Sequence, residues 1–373
     1  MSASVFFTGF PGFLGADLLP RILRDRPEAR AHCLVLPRHM PLARERLRQI
    51  GEPVTGEGSG ARAGEEGRVV LHPGDVTRPG LGLDASARSS LEAGVGEVFH
   101  LAAVYDLEVD EELATRVNVR GTGHVLDFAG ECRELRRFHH MSTCYVSGRR
   151  EGVVAEDELD AGQSFHNAYE RSKMEAEAAV RGRMEEGLSA TIYRPSIVVG
   201  DSDTGFTQKY DGPYFVVRWI LRQPGWAVVP VPPGADRTTV NQVPRDYVTR
   251  AVAHLSRVPE AAGETVHLAD PSPPTAGEAV RLMARAADRR LVTIPVPPGL
   301  LQWALESLPG LRRLTGIPPA LADYFHHPAT YATDRAEELL DGTGIEPPRF
   351  EDYVDALVAF VRRHPEPPAG PLA

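Results

Sequence analysis

At 373 residues the chain can form one large domain or two closely joined ones, and its 42% hydrophobic, 25% charged composition is that of a globular protein with a sizeable core. A formal net charge of −10 argues against nucleic-acid binding, which asks for a basic face. The three cysteines Cys33, Cys132 and Cys144 form no CxxC pair, no signal-like leader precedes Val5, and no apolar run approaches the ~18 residues that span a bilayer, so a cytoplasmic setting without a transmembrane segment is expected.

Short apolar runs alternate with helical spacing over residues 1–200. Val5–Thr8, His32–Leu36, Val69–His72, Val98–Leu101, Phe138–Ser142 and Ala190–Tyr193 read as buried strands. Leu14, Leu18 and Leu19, then Leu42–Ile50, Leu113–Phe128 and Tyr169–Met184, carry helical periodicity between them. This alternation predicts an α/β, Rossmann-type doubly wound parallel sheet. Gly51–Gly67, rich in Gly, Glu and Ser, reads as a solvated loop. Beyond Gly200 prolines cluster and the rhythm becomes irregular, although Val243–Leu255, Gly277–Ala287 and Phe350–Val361 still read as helices. Residues 1–200 are therefore expected to form the dinucleotide domain, and residues 201–373 a smaller mixed α/β lobe facing the substrate, with some segments returning to the first core.

Thr8-Gly9-Phe10-Pro11-Gly12-Phe13-Leu14-Gly15 sits where the first strand turns into the first helix. Glycines there let the backbone approach a pyrophosphate, and the following helix aims its N-terminal N–H groups at the negative charge. A fold selecting NAD places a carboxylate about 20 residues further on, at the ribose 2′-hydroxyl. Here Leu36-Pro37-Arg38-His39 stands instead, and Arg38, assisted by Arg44 and Arg48, is suited to a 2′-phosphate, so NADPH is expected over NAD. Asp75 and Val76 after the third strand, and Leu101, Ala102 and Ala103 after the fourth, fall where such a sheet puts its cofactor contacts.

Tyr169 and Lys173 are four residues apart and so share a helix face. A lysine charge beside a phenol is expected to lower its pKa toward a useful acid–base range. Ser142 and Thr143, at the end of the fifth strand, are candidates to hydrogen-bond a carbonyl that accepts hydride. The histidines form no HExxH or Cys/His cluster, and no metal site is expected. Pro298–Leu314, with Trp303 and Arg312–Arg313, reads as an amphipathic helix, either core packing or a lid over an acyl chain.

Gly9, Gly12 and Gly15 of TGxxGxxG, Asn118–Thr122, Ser142-Thr143, Tyr169/Lys173 and Arg194-Pro195 together resemble the extended short-chain dehydrogenase/reductase superfamily. The wording of the turn, Ser142–Val146, Tyr193–Ser202, Asp203-Thr-Gly and Asp211–Tyr214 resembles its fatty acyl-CoA reductase and thioester reductase branch. The resemblance implies Thr143 as carbonyl-binding hydroxyl, Tyr169 as general acid/base, Lys173 on the nicotinamide ribose and Asn118 in a proton relay. It also implies contacts to the cofactor from Phe13, Leu14, Pro195, Ser196 and Val198. The substrate implied is an acyl thioester, on CoA or an acyl carrier protein, or its aldehyde. An alcohol, sterol or sugar-nucleotide dehydrogenase of the same fold, and a non-enzymatic dinucleotide sensor, are the alternatives; acyl chain length and oligomeric state stay open.

Overall fold

The computed structural model describes residues 4–51, 54–57, 67–106, 109–307 and 329–367. Its centre is an eight-stranded sheet whose strand pairs are all parallel. In chain order the strands are β1 (Ser4–Thr8), β2 (Arg30–Val35), β3 (Val54–Glu57), β4 (Val69–Pro73), β5 (Val95–His100), β6 (Arg137–Met141), β8 (Ala190–Pro195) and β12 (Thr265–Leu268). Their spatial order is β12-β8-β6-β5-β1-β2-β4-β3. The chain winds outward from β1 on one side and returns to add β5 on the other. The switch point, where a doubly wound sheet opens its ligand crevice, therefore lies between the carboxyl ends of β1 and β5.

β1 alternates in facing direction as a strand buried on both sides must. Val5 and Phe7 pack with Leu18, Leu19 and Ile22 of helix α1 (Gly15–Asp25) and with Val248 and Val252 of helix α8 (Arg245–Leu255). Phe6 turns to the opposite layer, meeting Phe128 at a ring separation of 4.5 Å. That layer is built from helix α3 (Ala85–Gly94), which gives Leu91, and helix α5 (Gly121–Glu131), which gives Val125, Leu126 and Phe128; the short α4 (Glu111–Ala114) leads toward α5. The α1 leucines are fully buried, each contributing roughly 1.5–3 kcal/mol by removal from water.

The expected loop Gly51–Gly67 is corrected at Val54–Glu57, which pairs in parallel with β4 at the sheet margin; a marginal strand needs one backbone partner and no buried side-chain pattern. Residues 52–53 and 58–66 of that segment lie outside the described residues.

Past residue 200 the chain contributes to both cores. Helix α8 packs on α1, β12 completes the sheet, and helix Asp334–Leu340 joins the same cluster. A second core gathers helix α7 (Pro213–Leu221), helix α9 (Ala276–Ala286), helix Phe350–Arg363 and the parallel strands β10 (Trp226–Val231) and β13 (Arg290–Pro295). Two short parallel pairs, β9 (Ile197–Val199) with β11 (Gln242–Pro244) and β7 (Gly152–Val154) with β14 (Ala329–Tyr331), join the layers. Of the Pro298–Leu314 stretch, Pro298–Ser307 is helical with Leu300 and Trp303 exposed; Leu308, Leu311, Arg312 and Arg313 lie outside the described residues.

Candidate active site

The turn after β1 brings two backbones into contact. Gly9 has φ +88°, and a Cβ on it would stand 2.7 Å from the Leu101 carbonyl carbon; one on Gly15 would stand 2.6 Å from the Gly9 oxygen. No other residue fits either position, so the turn is held close against the end of β5. The cavity it opens, about 1140 Å³, is lined by Gly9, Gly12, Phe13, Leu14, Gly15, Arg38, Asp75, Val76, Leu101, Ala102, Ala103, Thr143, Tyr169, Lys173, Pro195, Ser196 and Val198. This cradle, filled by any added Cβ at its crossing, and the donors around it fit a dinucleotide.

At the end of β2 the described lining residues Leu36, Pro37, Arg38 and His39 include no carboxylate. Arg44 and Arg48 do not line the cavity; their place on helix α2 (Met40–Gln49) turns them elsewhere, Arg48 to Glu45 at 2.7 Å. Arg78, which sequence spacing did not single out, joins Arg38 in the lining because the loop after β4 folds beside the loop after β2. One Asp75 carboxylate oxygen accepts from the Thr77 N–H and hydroxyl, both at 2.8 Å, fixing the side chain at the cavity wall.

Tyr169 and Lys173 stand on helix α6 (Ala168–Glu185), started by the Asn167 side chain accepting from the Glu170 N–H at 3.0 Å. The Lys173 ammonium donates to the Met141 carbonyl at 2.6 Å, which leaves two hydrogens for a ligand. Burial lowers its pKa to about 8, against an upward pull from Glu177. The Thr143 hydroxyl donates to the Pro195 carbonyl at 3.4 Å and accepts from the Tyr145 N–H at 3.3 Å. Burial outweighs the downward pull of neighbouring Thr143 on the Tyr169 phenol and raises its pKa. The expected depression by Lys173 is thus corrected: the low-dielectric surroundings dominate and keep the phenol a proton donor at neutral pH. Ser142, the alternative to Thr143, commits its hydroxyl to Glu177 at 2.6 Å.

Asn118 stands behind the cavity, buried in a π-helical turn, Thr115–Arg120. Its amide donates to the Val104 carbonyl and to Ser172 Oγ, and its oxygen accepts from the Val104 N–H. A directed chain of hydrogen bonds runs through it. Thr122 Oγ donates to the Asn118 carbonyl at 2.6 Å, so it accepts from His100 Nε2 at 2.9 Å, and His100 Nδ1 then accepts from Thr8 Oγ at 2.8 Å. Ser172 Oγ donates onward to the Tyr169 carbonyl at 2.9 Å. Every link points one way, from the dinucleotide turn to the backbone of the candidate acid. Burial, with the Lys173 charge, lowers the His100 pKa to about 3, preserving the neutral tautomer this requires.

Beneath Thr143, the fully buried Arg194 meets Glu177, Nη2 to Oε1 at 2.6 Å and Nε to Oε2 at 3.0 Å. The guanidinium also donates to the Glu156 and Glu158 carbonyls and to His267 Nε2. Glu156 in turn accepts from the backbone N–H groups of His267 and Arg335. Arg194, read from sequence only as part of a motif, is the hub of a structural knot. Glu156 was missed because the backbone partners of its carboxylate lie more than a hundred positions away. Tyr105, Lys209 and Asp211 also line the cavity unforeseen, Lys209 lying 3.4 Å from both Asp106 and Asp211.

Among the described residues no group of three or more His, Cys, Asp or Glu side chains is placed to hold a metal ion, and no helix is long and apolar enough to cross a membrane.

Residues 7–252 match the Male sterility protein family. A linear gramicidin synthase of Brevibacillus parabrevis is 27% identical over 277 residues, 72% of this chain and 5% of the relative. The large subunit of L-2-aminoadipate reductase of Penicillium chrysogenum is 29% identical over 70% of this chain and 19% of its own length. Fatty acyl-CoA reductase wat of Drosophila melanogaster is 25% identical over 57% of this chain and 47% of its own. The chain thus spans under half the length of each of these curated relatives. The terminal R domain of the myxalamid PKS-NRPS pathway superposes with a TM-score of 0.79 at 26% identity, covering 98% of this chain and 92% of that one. The reductase domain of a nonribosomal peptide synthetase from Mycobacterium tuberculosis, at 21% identity, shares the fold with a TM-score of 0.70 over 97% of this chain and 92% of its own.

Proposed function

The chain belongs to the Male sterility protein family, NAD(P)-dependent reductases of the extended short-chain type, and from that premise we propose that it reduces an acyl thioester, carried on CoA or a carrier protein, with NADPH. The observation that carries the reading is the meeting of Thr143, Tyr169 and Lys173 in the cavity that begins at the glycine-rich turn. When bound there, the reduced nicotinamide supplies hydride. The turn and the α1 N-terminus would hold its pyrophosphate, and Arg38 and Arg78, both in the cavity lining, would supply the charge for a 2′-phosphate. Lys173, fixed by the Met141 carbonyl, would have two hydrogens left to donate to the nicotinamide ribose.

The Thr143 and Tyr169 hydroxyls grip the substrate carbonyl where negative charge develops, and they stabilise that oxygen as the carbonyl carbon becomes tetrahedral. Tyr169, kept protonated by its buried surroundings, gives its proton to this oxygen, forming a hemithioacetal. The C–S bond then breaks, the hydroxyl proton leaves, and thiol and aldehyde are released. An aldehyde reacting at the same site takes the same proton and ends as an alcohol.

Purified protein with NADPH and matched acyl-CoAs, aldehydes and secondary alcohols, followed by the absorbance of the reduced cofactor, tests this. Aldehyde formation from thioesters is expected; oxidation of NADPH by aldehydes alone refutes the thioester reading. Tyr169→Phe should lower turnover about 100-fold or more with the NADPH Kd nearly unchanged. Unchanged turnover removes Tyr169 from the chemistry.

A further inference from the structure

The cavity does not stop at the candidate catalytic groups. From Pro195 and Ser196 its wall continues through Ile197, whose N–H donates to the Asn241 carbonyl at 3.2 Å, and along Asn241, Val240 and Thr239. The Ala276 N–H donates to the Thr238 carbonyl at 2.8 Å, so the N-terminus of α9 abuts that segment. From there one face of α9 lines the space: Ala276, Ala279, Val280 and Met283, joined by Val216 of α7. The spacing i, i+3, i+4, i+7 is a single helical stripe, and seven residues at 1.5 Å each carry it about 10 Å past Ala276. All five side chains are buried while lining the cavity, which makes this part a narrow recess.

Its chemistry is one-sided. Along Thr239–Asn241 and α9, no described lining side chain carries a charge. The Asn241 amide is held by the neighbouring backbone: it donates to the Asp270 carbonyl at 2.8 Å and accepts from the Asp270 N–H at 3.0 Å. The nearest lining cation in the C-terminal lobe, Lys209, is shared between Asp106 and Asp211. A carboxylate or ammonium at the far end of an acyl group would lose its hydration here and meet no counter-charge.

We infer that this recess binds the aliphatic tail of the acyl group, that the enzyme takes apolar acyl thioesters, and that Met283 limits their length. The inference rests on the thioester-reductase reading for its reaction but on the recess for its ligand. The stripe passes from small residues, Ala276 and Ala279, to larger ones, Val280 and Met283, as α9 runs away from the Thr238–Asn241 segment through which the recess joins Ile197 and Ser196. A chain entering at Ala276 meets Met283 last.

The test uses a homologous series of straight-chain acyl thioesters and, separately, the matching primary amides, whose binding is read by calorimetry without turnover. Each added methylene should tighten amide binding about fourfold, and raise kcat/KM likewise, until the recess is full. Met283→Ala should move that limit to longer chains and Ala279→Met to shorter ones, while Met283→Leu, which conserves volume, keeps it. An ω-carboxyl member of each series should bind no tighter than the shortest chain. Length-independent binding, an unmoved limit in both variants, or preference for the ω-carboxyl ligand overturns the inference. If amides follow the series while no thioester is reduced, the recess assignment stands and the proposed reaction falls.

Discussion

Replacing Arg194 with methionine strips a buried carboxylate of its main counter-charge. Burial pushes the Glu177 carboxyl up, but the Arg194 charge and the hydrogen bonds from Arg194 and Ser142 outweigh it and hold the pKa below the ordinary carboxylate value. Both side chains are fully inaccessible, and their two contacts at 2.6 and 3.0 Å form a bidentate pair. After the substitution Glu177 keeps only the Ser142 hydroxyl and Arg181, which is one-quarter exposed. The carbonyls of Glu156 and Glu158 lose a donor at the same time. Removing one member of a buried pair costs about 3–5 kcal/mol, and the remaining Arg181 contact argues for ~4 rather than the upper end. Urea unfolding of the full chain, extrapolated linearly, measures it. The double variant Glu177→Met/Arg194→Met should recover most of the loss, since two apolar groups leave no stranded charge. A loss below ~1 kcal/mol in the single variant, or a double variant no better than the single, refutes the account of Arg194 as counter-ion.

Lys173 is charged below its pKa of about 8 and neutral above it, so kcat/KM should decline as pH rises through that value; a profile flat to pH ~10 would separate the ammonium from function. Arg38→Ala should weaken NADPH roughly 10- to 100-fold, the worth of a charge-assisted hydrogen bond, with NADH little affected, and cofactor titrations showing equal losses would remove the 2′-phosphate role. Thr122→Val leaves the His100 Nε2–H buried without an acceptor and should cost about 1–3 kcal/mol in the same urea measurement. An unchanged midpoint there means the hydrogen-bond chain through His100 contributes nothing to stability.

The parallel sheet, the glycine-rich turn and the Tyr169/Lys173 face were legible because each is written in local spacing. Apolar runs give β1, β2 and β5, and two residues four apart on a helix must share a side. What escaped depends on neighbours remote in sequence. Ser142 and Thr143 are equivalent on paper, and only the packing of α6 against β6 commits the Ser142 hydroxyl to Glu177 while Thr143 turns to the Pro195 carbonyl. The buried face of α6 carries Ser172, Lys173 and Glu177, so hydrophobic periodicity marks that helix weakly where its function is concentrated. Arg78 reaches the cofactor end because β4 pairs with β2, which spacing along the chain does not encode. The strand Val54–Glu57 pairs with β4 through its backbone, a contact that an apolar pattern along the chain does not encode.

The return of α8 and β12 to the first core decides how this protein can be cut. A fragment ending near Gly200 would strip β12 from β8, exposing a fully buried strand as a raw margin open to pairing with other chains, and would leave β9 without β11. It would also uncover the α1 leucines that α8 covers. Chimeras that exchange acyl selectivity between reductases of this architecture should therefore carry α7, β10, α9, β13 and helix Phe350–Arg363 as inserts between retained host segments, keeping α8, β11 and β12 with the sheet to which they pack.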